Sequence, residues 1–341
     1  MKQIKLLLML LLFLTTVIEA KDYNNRREVK NFINMMVKKH HFKRAELKKL
    51  FSNVKFQRGA LGMFNPKYRK KPKHPPKHYS KHGSWDRYEK ILLKESKVIK
   101  GVEYLRKHRS IFKEVYRRYG VPPEYITAII GIESHYGYNR GKFPAFDTLT
   151  TLAFEPNRRK KYFKFELKEL LLLSKKEGFN PKNVKSSFAG AIGLGQFMPS
   201  SYDAFAVDFN RDGRRSIQTT SDAIASIANY FKKNGWRRGE VVATRVSYKG
   251  NRFNRRKTGY RHKYYRSSLF GITPKYGTWR YGGKVRLIKL DRHNYDELWY
   301  GAKNFYVITR YNHSSYYAMA VHQLAQRIRK MYQKKYGDNL R

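Results

Sequence analysis

Three stretches of this chain carry residue types whose spacing suits bond breaking or ligand binding, and the first centres on a glutamate. In Tyr119-Gly120-Val121-Pro122-Pro123-Glu124, two prolines stand where a helix would start. The first turn of a helix has no intrahelical use for its N–H groups, so prolines fit there. Ile126, Ile129 and Ile130 then mark a buried face, and Glu133 falls at i+7 on the same stripe. A carboxylate placed where the next core residue belongs loses hydration, and its proton affinity rises. A general acid working near neutral pH needs that property. The spacing leaves a second reading open, in which the helix stops by Gly137 and Glu133 lies in solvent or pairs with an arginine.

The second stretch is Ser187-Phe188-Ala189-Gly190-Ala191-Ile192-Gly193-Leu194-Gly195-Gln196-Phe197-Met198-Pro199-Ser200-Ser201-Tyr202. Its three glycines let a backbone approach a ligand closely. It is not a phosphate loop, because the spacing is wrong and no Lys-Ser/Thr pair follows. Ser187 and Gln196 offer a hydroxyl and an amide, which suit sugar hydroxyls and N-acetyl groups. A tight helix-to-helix turn would account for the glycines equally well.

The third stretch is Asp208-Phe209-Asn210-Arg211-Asp212-Gly213-Arg214. Oxygen side chains at positions one, three and five, then glycine at six, match the start of a calcium-binding helix–loop–helix loop. Position twelve, usually glutamate, is Thr219, and Arg211, Arg214 and Arg215 oppose a cation electrostatically. The other reading is an Asx-rich turn before a helix capped by Ser221. Any metal here would be structural.

The surrounding chain is mostly helical in pattern. Residues 21 to about 64 mix cations with Phe32, Ile33, Leu47 and Leu50, as short amphipathic helices do. Residues 65–83 hold Pro66, Pro72, Pro75 and Pro76 among lysines and histidines, a basic arm rather than an element. His74, His78 and His82 have no carboxylate or cysteine beside them, which favours that arm over a metal site. Residues 86–240 are the densest in helical patterns. From Arg238 to about Leu290, repeated glycines punctuate short mixed runs, which suggests strands and turns with imperfect alternation. Val321, Leu324, Ala325, Ile328 and Tyr332 form one stripe of a final helix.

The first two stretches together resemble the lytic murein transglycosylases of the B type, which have a lysozyme-like catalytic domain. The resemblance covers about residues 86–240 and 299–325. Its motifs are Gly131-Ile132-Glu133-Ser134-His135-Tyr136-Gly137, the Gly-Gln-Phe-Met-Pro-Ser-Ser-Tyr run, Trp299-Tyr300-Gly301, and the run from Asn304 through Tyr311-Asn312-His313-Ser314. It implies that Glu133 acts as acid and then base on the bond between N-acetylmuramic acid and N-acetylglucosamine in peptidoglycan, leaving 1,6-anhydromuramyl ends. It implies that Ser187, Gln196, Tyr230, Tyr311, Asn312 and Tyr317 line the sugar cleft, with Tyr88, Arg158 and Arg159 also touching substrate. It further implies that Asp222 closes a longer metal loop, so that a structural Ca²⁺ would meet Asp208, Asn210, Asp212, Asp222 and the Arg214 carbonyl. No catalytic cofactor is expected. Two other readings remain open: a muramidase-type hydrolase, and a non-catalytic peptidoglycan-binding protein, which would not need a carboxylate on an apolar stripe.

Bulk properties bound the setting. The chain has 341 residues, 41% of them apolar and 15% aromatic, enough to bury a core despite its charge. A net charge of +49 attracts polyanions over a range set by salt. Residues 1–20 combine a basic start, an apolar run too short to span a membrane and Ala20 at the end, which reads as a cleaved secretory signal. The chain has no cysteine, which rules out disulfides, thiolate chemistry and a cysteine-linked lipid. The expected product is a periplasmic monomer that binds peptidoglycan and touches anionic envelope surfaces through its charge, with no role for nucleic acid. The expected fold is mainly α: a signal peptide (1–20), a basic helical region and arm (21–85), a lysozyme-like core (86–240), a small β-rich segment (241–298), and a C-terminal segment completing the cleft (299–341).

Overall fold

A computed structural model describes residues 20–69, 82–250, 253 and 255–337. The expected export leader as far as Glu19 and most of the proline-rich arm lie outside the described residues. The chain opens with β1 (Ala20–Lys21), α1 (Arg27–His40), α2 (Arg44–Ser52), β2 (Val54–Lys55) and α3 (Arg58–Gly62). The helical core follows: α4 (Ser84–Leu92), α5 (Glu95–Lys107), α6 (Arg109–Tyr119), α7 (Pro123–Ser134), β3 (Phe143–Pro144), α8 (Ala145–Phe154), α9 (Lys160–Glu177), β4 (Lys185–Ser186), α10 (Pro199–Phe205) and α11 (Thr220–Lys233). Then come β5 (Ala243–Tyr248), β6 (Ile272–Pro274), β7 (Arg286–Asp291) and β8 (Asp296–Gly301), and finally α12 (Lys303–Tyr311) and α13 (Ser315–Tyr336). The fold is mainly α, with small antiparallel sheets.

α7 begins with Pro123 at its first position, as its sequence dictates. Its environment differs from the single stripe expected. Not only Ile126, Ile129 and Ile130 but every residue from position 123 to 131 is buried. α13 and α5 pack along the helix, and α6 and α11 close on it as well. A helix that is apolar nearly all round belongs at the centre of a core. Glycine at position 131 leaves room for the Tyr136 ring, which links α7 to α5. A Cβ there would stand 2.5 Å from the Tyr136 hydroxyl, which itself donates to the Lys97 carbonyl at 2.8 Å.

The four-stranded sheet has the order β6-β5-β8-β7, antiparallel throughout, with Leu287 opposite Tyr300 and Ile288 opposite Trp299. The imperfect alternation of β7 has a cause in its packing. Leu287 joins a small core with Val246, Ile272 and Tyr300, while Ile288 and Leu290 join the main helical core. A strand covered on both faces need not alternate. The stripe of α13 lies in the main core as its spacing requires.

Candidate active site

Glu133 sits in the last turn of α7, one residue before the helix ends at Ser134. His135 and Tyr136 then take left-handed backbone conformations, so the chain turns sharply away from the carboxyl. α13 brings Tyr317 to the same place, and its hydroxyl donates to Glu133 Oε1 at 2.5 Å. Burial raises the proton affinity of Glu133 from 4.5 to about 7, and the Tyr317 hydrogen bond opposes that rise by favouring the carboxylate. No second carboxyl among the described residues contributes to this balance. Glu133 is thus protonated over a good part of the neutral range, as a general acid must be.

Three tyrosines surround it. Tyr317 is 3% exposed, and burial followed by the nearby Glu133 charge pushes its hydroxyl well above its ordinary range. Tyr311, at the end of α12, experiences the same two influences and donates to the Gly195 carbonyl at 2.5 Å. Tyr88 on α4 is also shifted up, first by burial and then by Glu133. Tyr230 stacks edge-on against Tyr311 at 4.9 Å and donates to the Arg310 carbonyl at 2.6 Å, which fixes the end of α12.

The glycine-rich stretch forms the facing wall. Ser187 Oγ accepts from the backbone N–H of Ala191 at 3.1 Å, and Ile192 pairs with Phe197. Gly193 has φ +77, and a Cβ there would stand 2.7 Å from the Ile217 carbonyl, so the turn requires glycine. Gln196 holds φ +51, a conformation that strains a residue with a side chain. Its Nε2 protons go to the carbonyls of Gly193 at 2.8 Å and Arg140 at 3.4 Å. What this amide can offer a sugar is therefore its Oε1, an acceptor suited to the N–H of an N-acetyl group.

The structure gathers Glu133, Tyr88, Tyr317, Tyr311 and, beside Gly195, Gln196. Asn312 follows Tyr311 as an exposed residue. Arg158 and Arg159 are exposed in the loop before α9, apart from these contacts. Arg158 lines a cavity of about 480 Å³ with Phe64 and Asn65, and Phe64 meets Phe188 at 6.0 Å, next to Ser187.

Several supports escaped the sequence. Glu166 on α9 is 1% exposed and accepts from both the N–H and the hydroxyl of Ser200, at 3.0 and 2.8 Å, which anchors the end of the glycine-rich wall. Burial raises its proton affinity. Tyr316 packs on Trp85 and Tyr88 at 5.2 and 5.7 Å and bonds to Ser84 and Asp291. Arg292 binds Asp86 at 2.8 Å and also Glu89 and Glu297, tying α4 to the β7–β8 turn. The spacing of Trp85 and Tyr88 on one face of α4 was the available signal for this aromatic group.

The third stretch folds into a compact loop. Carboxylate oxygens of Asp208, Asp212 and Asp222 all lie within 4.8 Å of one another. Asp222 is fully buried and accepts from the N–H groups of Phe209, Asn210 and Ser216. None of the three forms an ion pair among the described residues, and the nearby Arg215 is engaged by Glu177 and Asp203. Three converging carboxylates without a basic partner fit a hard divalent cation. Thr219, not Ser221, precedes α11, and it makes no side-chain cap. Asp203, bound to Lys176 and Arg215, is occupied as a surface ion pair.

This geometry, a half-buried glutamate facing tyrosines in a helical core, defines a glycan-cleaving site of the lysozyme-like kind. The chain matches the model of the transglycosylase SLT domain over residues 24–326 and belongs to that family. It is a peptidoglycan lytic transglycosylase. It is 39% identical over 309 residues to membrane-bound lytic murein transglycosylase B of Escherichia coli K12, covering 90% of this chain and 84% of that one. The structure superposes on the E. coli lytic transglycosylase Slt35 in complex with calcium, with a TM-score of 0.83 and 37% identity over 94% of this chain and 98% of that one. It also superposes on SltB3 of Pseudomonas aeruginosa in complex with NAG-anhNAM-pentapeptide, with a TM-score of 0.73 and 26% identity over 89% and 78% of the two chains.

Proposed function

We propose that this enzyme cleaves the bond between N-acetylmuramic acid and N-acetylglucosamine with Glu133 as its single acid and base, leaving 1,6-anhydromuramyl ends. The observation that carries this reading is the solitary carboxyl: Glu133 has Tyr317 at 2.5 Å, and no second carboxyl among the described residues influences it. Glycosidases that hydrolyse use a pair, one acid and one nucleophile or base. With one, the attacking oxygen must come from the substrate. Glu133 protonates the glycosidic oxygen as the bond to C1 breaks. The resulting carboxylate, held by the Tyr317 hydroxyl, takes the proton from the C6 hydroxyl of the muramic acid as that oxygen bonds to C1. The attack is intramolecular, and its entropic advantage is large enough to replace a second protein group.

Gln196 Oε1 and Ser187 orient the N-acetyl group, and Tyr88, Tyr230, Tyr311 and Tyr317 shape the cleft for the rings, with Asn312 and the arginines 158 and 159 reaching the strand further out. Asp208, Asn210, Asp212 and Asp222, with the Arg214 carbonyl, hold a structural calcium that stabilises the wall without entering the reaction. The SltB3 complex, which contains an anhydromuramyl ligand, supports this product, and the calcium complex of Slt35 supports the metal. The enzyme acts in the periplasm as a monomer, after export by the leader over residues 1–20. Mass spectrometry of products from purified peptidoglycan tests the reading. Anhydromuramyl ends are expected, and reducing muramic acid ends would show a hydrolase instead.

A further inference from the structure

The charge of this molecule is unevenly distributed. Between Val241 and Leu290 lysine or arginine occurs at fourteen positions and no aspartate or glutamate occurs at all. Elsewhere acids are interspersed, so that Lys160 meets Glu28 and Lys168 meets Glu169. In this sheet-bearing region, Arg255, Arg256, Lys257, Arg266 and Lys284 are exposed and form no ion pair among the described residues.

The same region displays exposed aromatic surface. Residues 265–271 form a tight tip joined by turn hydrogen bonds from Ser268, Leu269 and Ile272. Phe270 is 83% exposed and Tyr265 is 62% exposed. Cations stand at this tip. Lys284 Nζ lies 4.3 Å from the Tyr265 ring, and Arg256 donates to the Ser268 carbonyl at 2.9 Å. Leu269 between them is buried in the small core, so the tip is anchored from beneath while its rings face out. A polyanion without rings, such as polyphosphate, would use the cations but has no need of a phenyl ring projecting from a turn. A bilayer uses both: anionic headgroups attract the cations, and an aromatic ring gains by leaving water for the acyl boundary.

We propose that residues 265–271, with Arg256 and Lys284, form a docking surface for an anionic phospholipid bilayer, with Phe270 and Tyr265 entering the headgroup layer. The surface is anchored in the small sheet core, whereas the α7 residues that lead to Glu133 belong to the main helical core.

The chain has no cysteine, which makes a single introduced thiol a unique label. Full-length protein carrying Ser267→Cys and an environment-sensitive dye is mixed with vesicles of phosphatidylcholine alone, or with about one third phosphatidylglycerol, whose charge supplies the attraction. A blue shift is expected on the mixed vesicles only, and a dye at Phe165→Cys, on exposed α9, should stay silent. In co-sedimentation, Arg256→Ala and Lys284→Ala should each weaken binding about fivefold, the value of one cation near such a surface. Phe270→Ser should lower the part of binding that survives added salt. All five are surface positions, and an unchanged melting temperature verifies folding. A silent dye at Ser267→Cys, an equal shift at Phe165→Cys, or unchanged affinity in the alanine variants would each overturn the proposal. So would binding to inorganic polyphosphate that outcompetes the vesicles, which would mark a plain polyanion site. None of these readouts depends on turnover, so their failure would leave the catalytic reading untouched.

Discussion

Replacing Glu133 by glutamine should make the protein more stable than the wild type by an amount that grows with pH. The carboxyl is raised by burial from 4.5 to about 7 in the folded chain. Between those values the folded state keeps a proton that the unfolded state has lost. The group's contribution to stability is therefore complete below pH 4.5 and disappears as pH rises through 7. At ~1.36 kcal/mol per pH unit the full span is about 3 kcal/mol, and the window from about pH 5 to pH 8 captures about 2–3 kcal/mol of it. Glutamine does not titrate, fills the same space and still accepts the Tyr317 hydrogen bond. The stability difference between variant and wild type should thus widen by that amount across the window. Denaturant unfolding of both proteins in parallel, at matched ionic strength, measures it, and every other titrating group cancels in the difference. Turnover by the variant should fall almost to nothing. A stability difference that stays flat with pH would refute the desolvated carboxyl, and one that narrows would mean that Glu133 is held ionised by a cation.

Tyr317→Phe removes the donor that favours the carboxylate, so Glu133 should hold its proton to higher pH. A hydrogen bond to a charged group is worth about 1.5–3 kcal/mol, so the alkaline limb of the pH–rate profile should move up by roughly one unit or more, and an unmoved limb would show that the bond does not form in solution. Gly131→Ala sets a methyl 2.5 Å from the Tyr136 hydroxyl and should destabilise the core by about 1–3 kcal/mol, read as a lower melting temperature. Calcium added to chelated protein should raise the melting temperature, with about 2.7 kcal/mol gained at a hundredfold excess over Kd, and Asp222→Ala should abolish the gain; a response surviving that change would place the ion elsewhere.

The sequence made some of this legible and hid the rest for physical reasons. Glu133 could be singled out because a proline-started helix carried it into apolar company. The same pattern understated the burial of α7, because three isoleucines mark one face and say nothing of neighbours closing on the other. Tyr317 is one of 27 tyrosines and has no local signature, so its role came only through the resemblance. Its position is set by α13 packing on α7. Glu166 looked like an ordinary charge in a Lys/Glu-rich helix, and only the fold reveals that it is buried and bonded to Ser200. Asp208 and Asp212 were readable because their ligand spacing is local, whereas Asp222 reaches them only through the turn before α11. The mixed pattern of β7 resisted reading since its two faces serve two different cores.

The hydrogen bond from Tyr317 to Glu133 spans 184 positions of the chain, and Arg292 ties back to Asp86 across 206. A chain made from its N-terminus presents its acid long before the donor that tunes it. Until α13 docks, one wall of the cleft does not exist and α7 lies with its long side uncovered. Contacts this distant in sequence form late, because the intervening loop must close before they can compensate for its entropy. The cutting edge is thus assembled last. A nascent or C-terminally clipped molecule ending before Ser315 would carry Glu133 without the partner helix, and so would be unable to cut glycan.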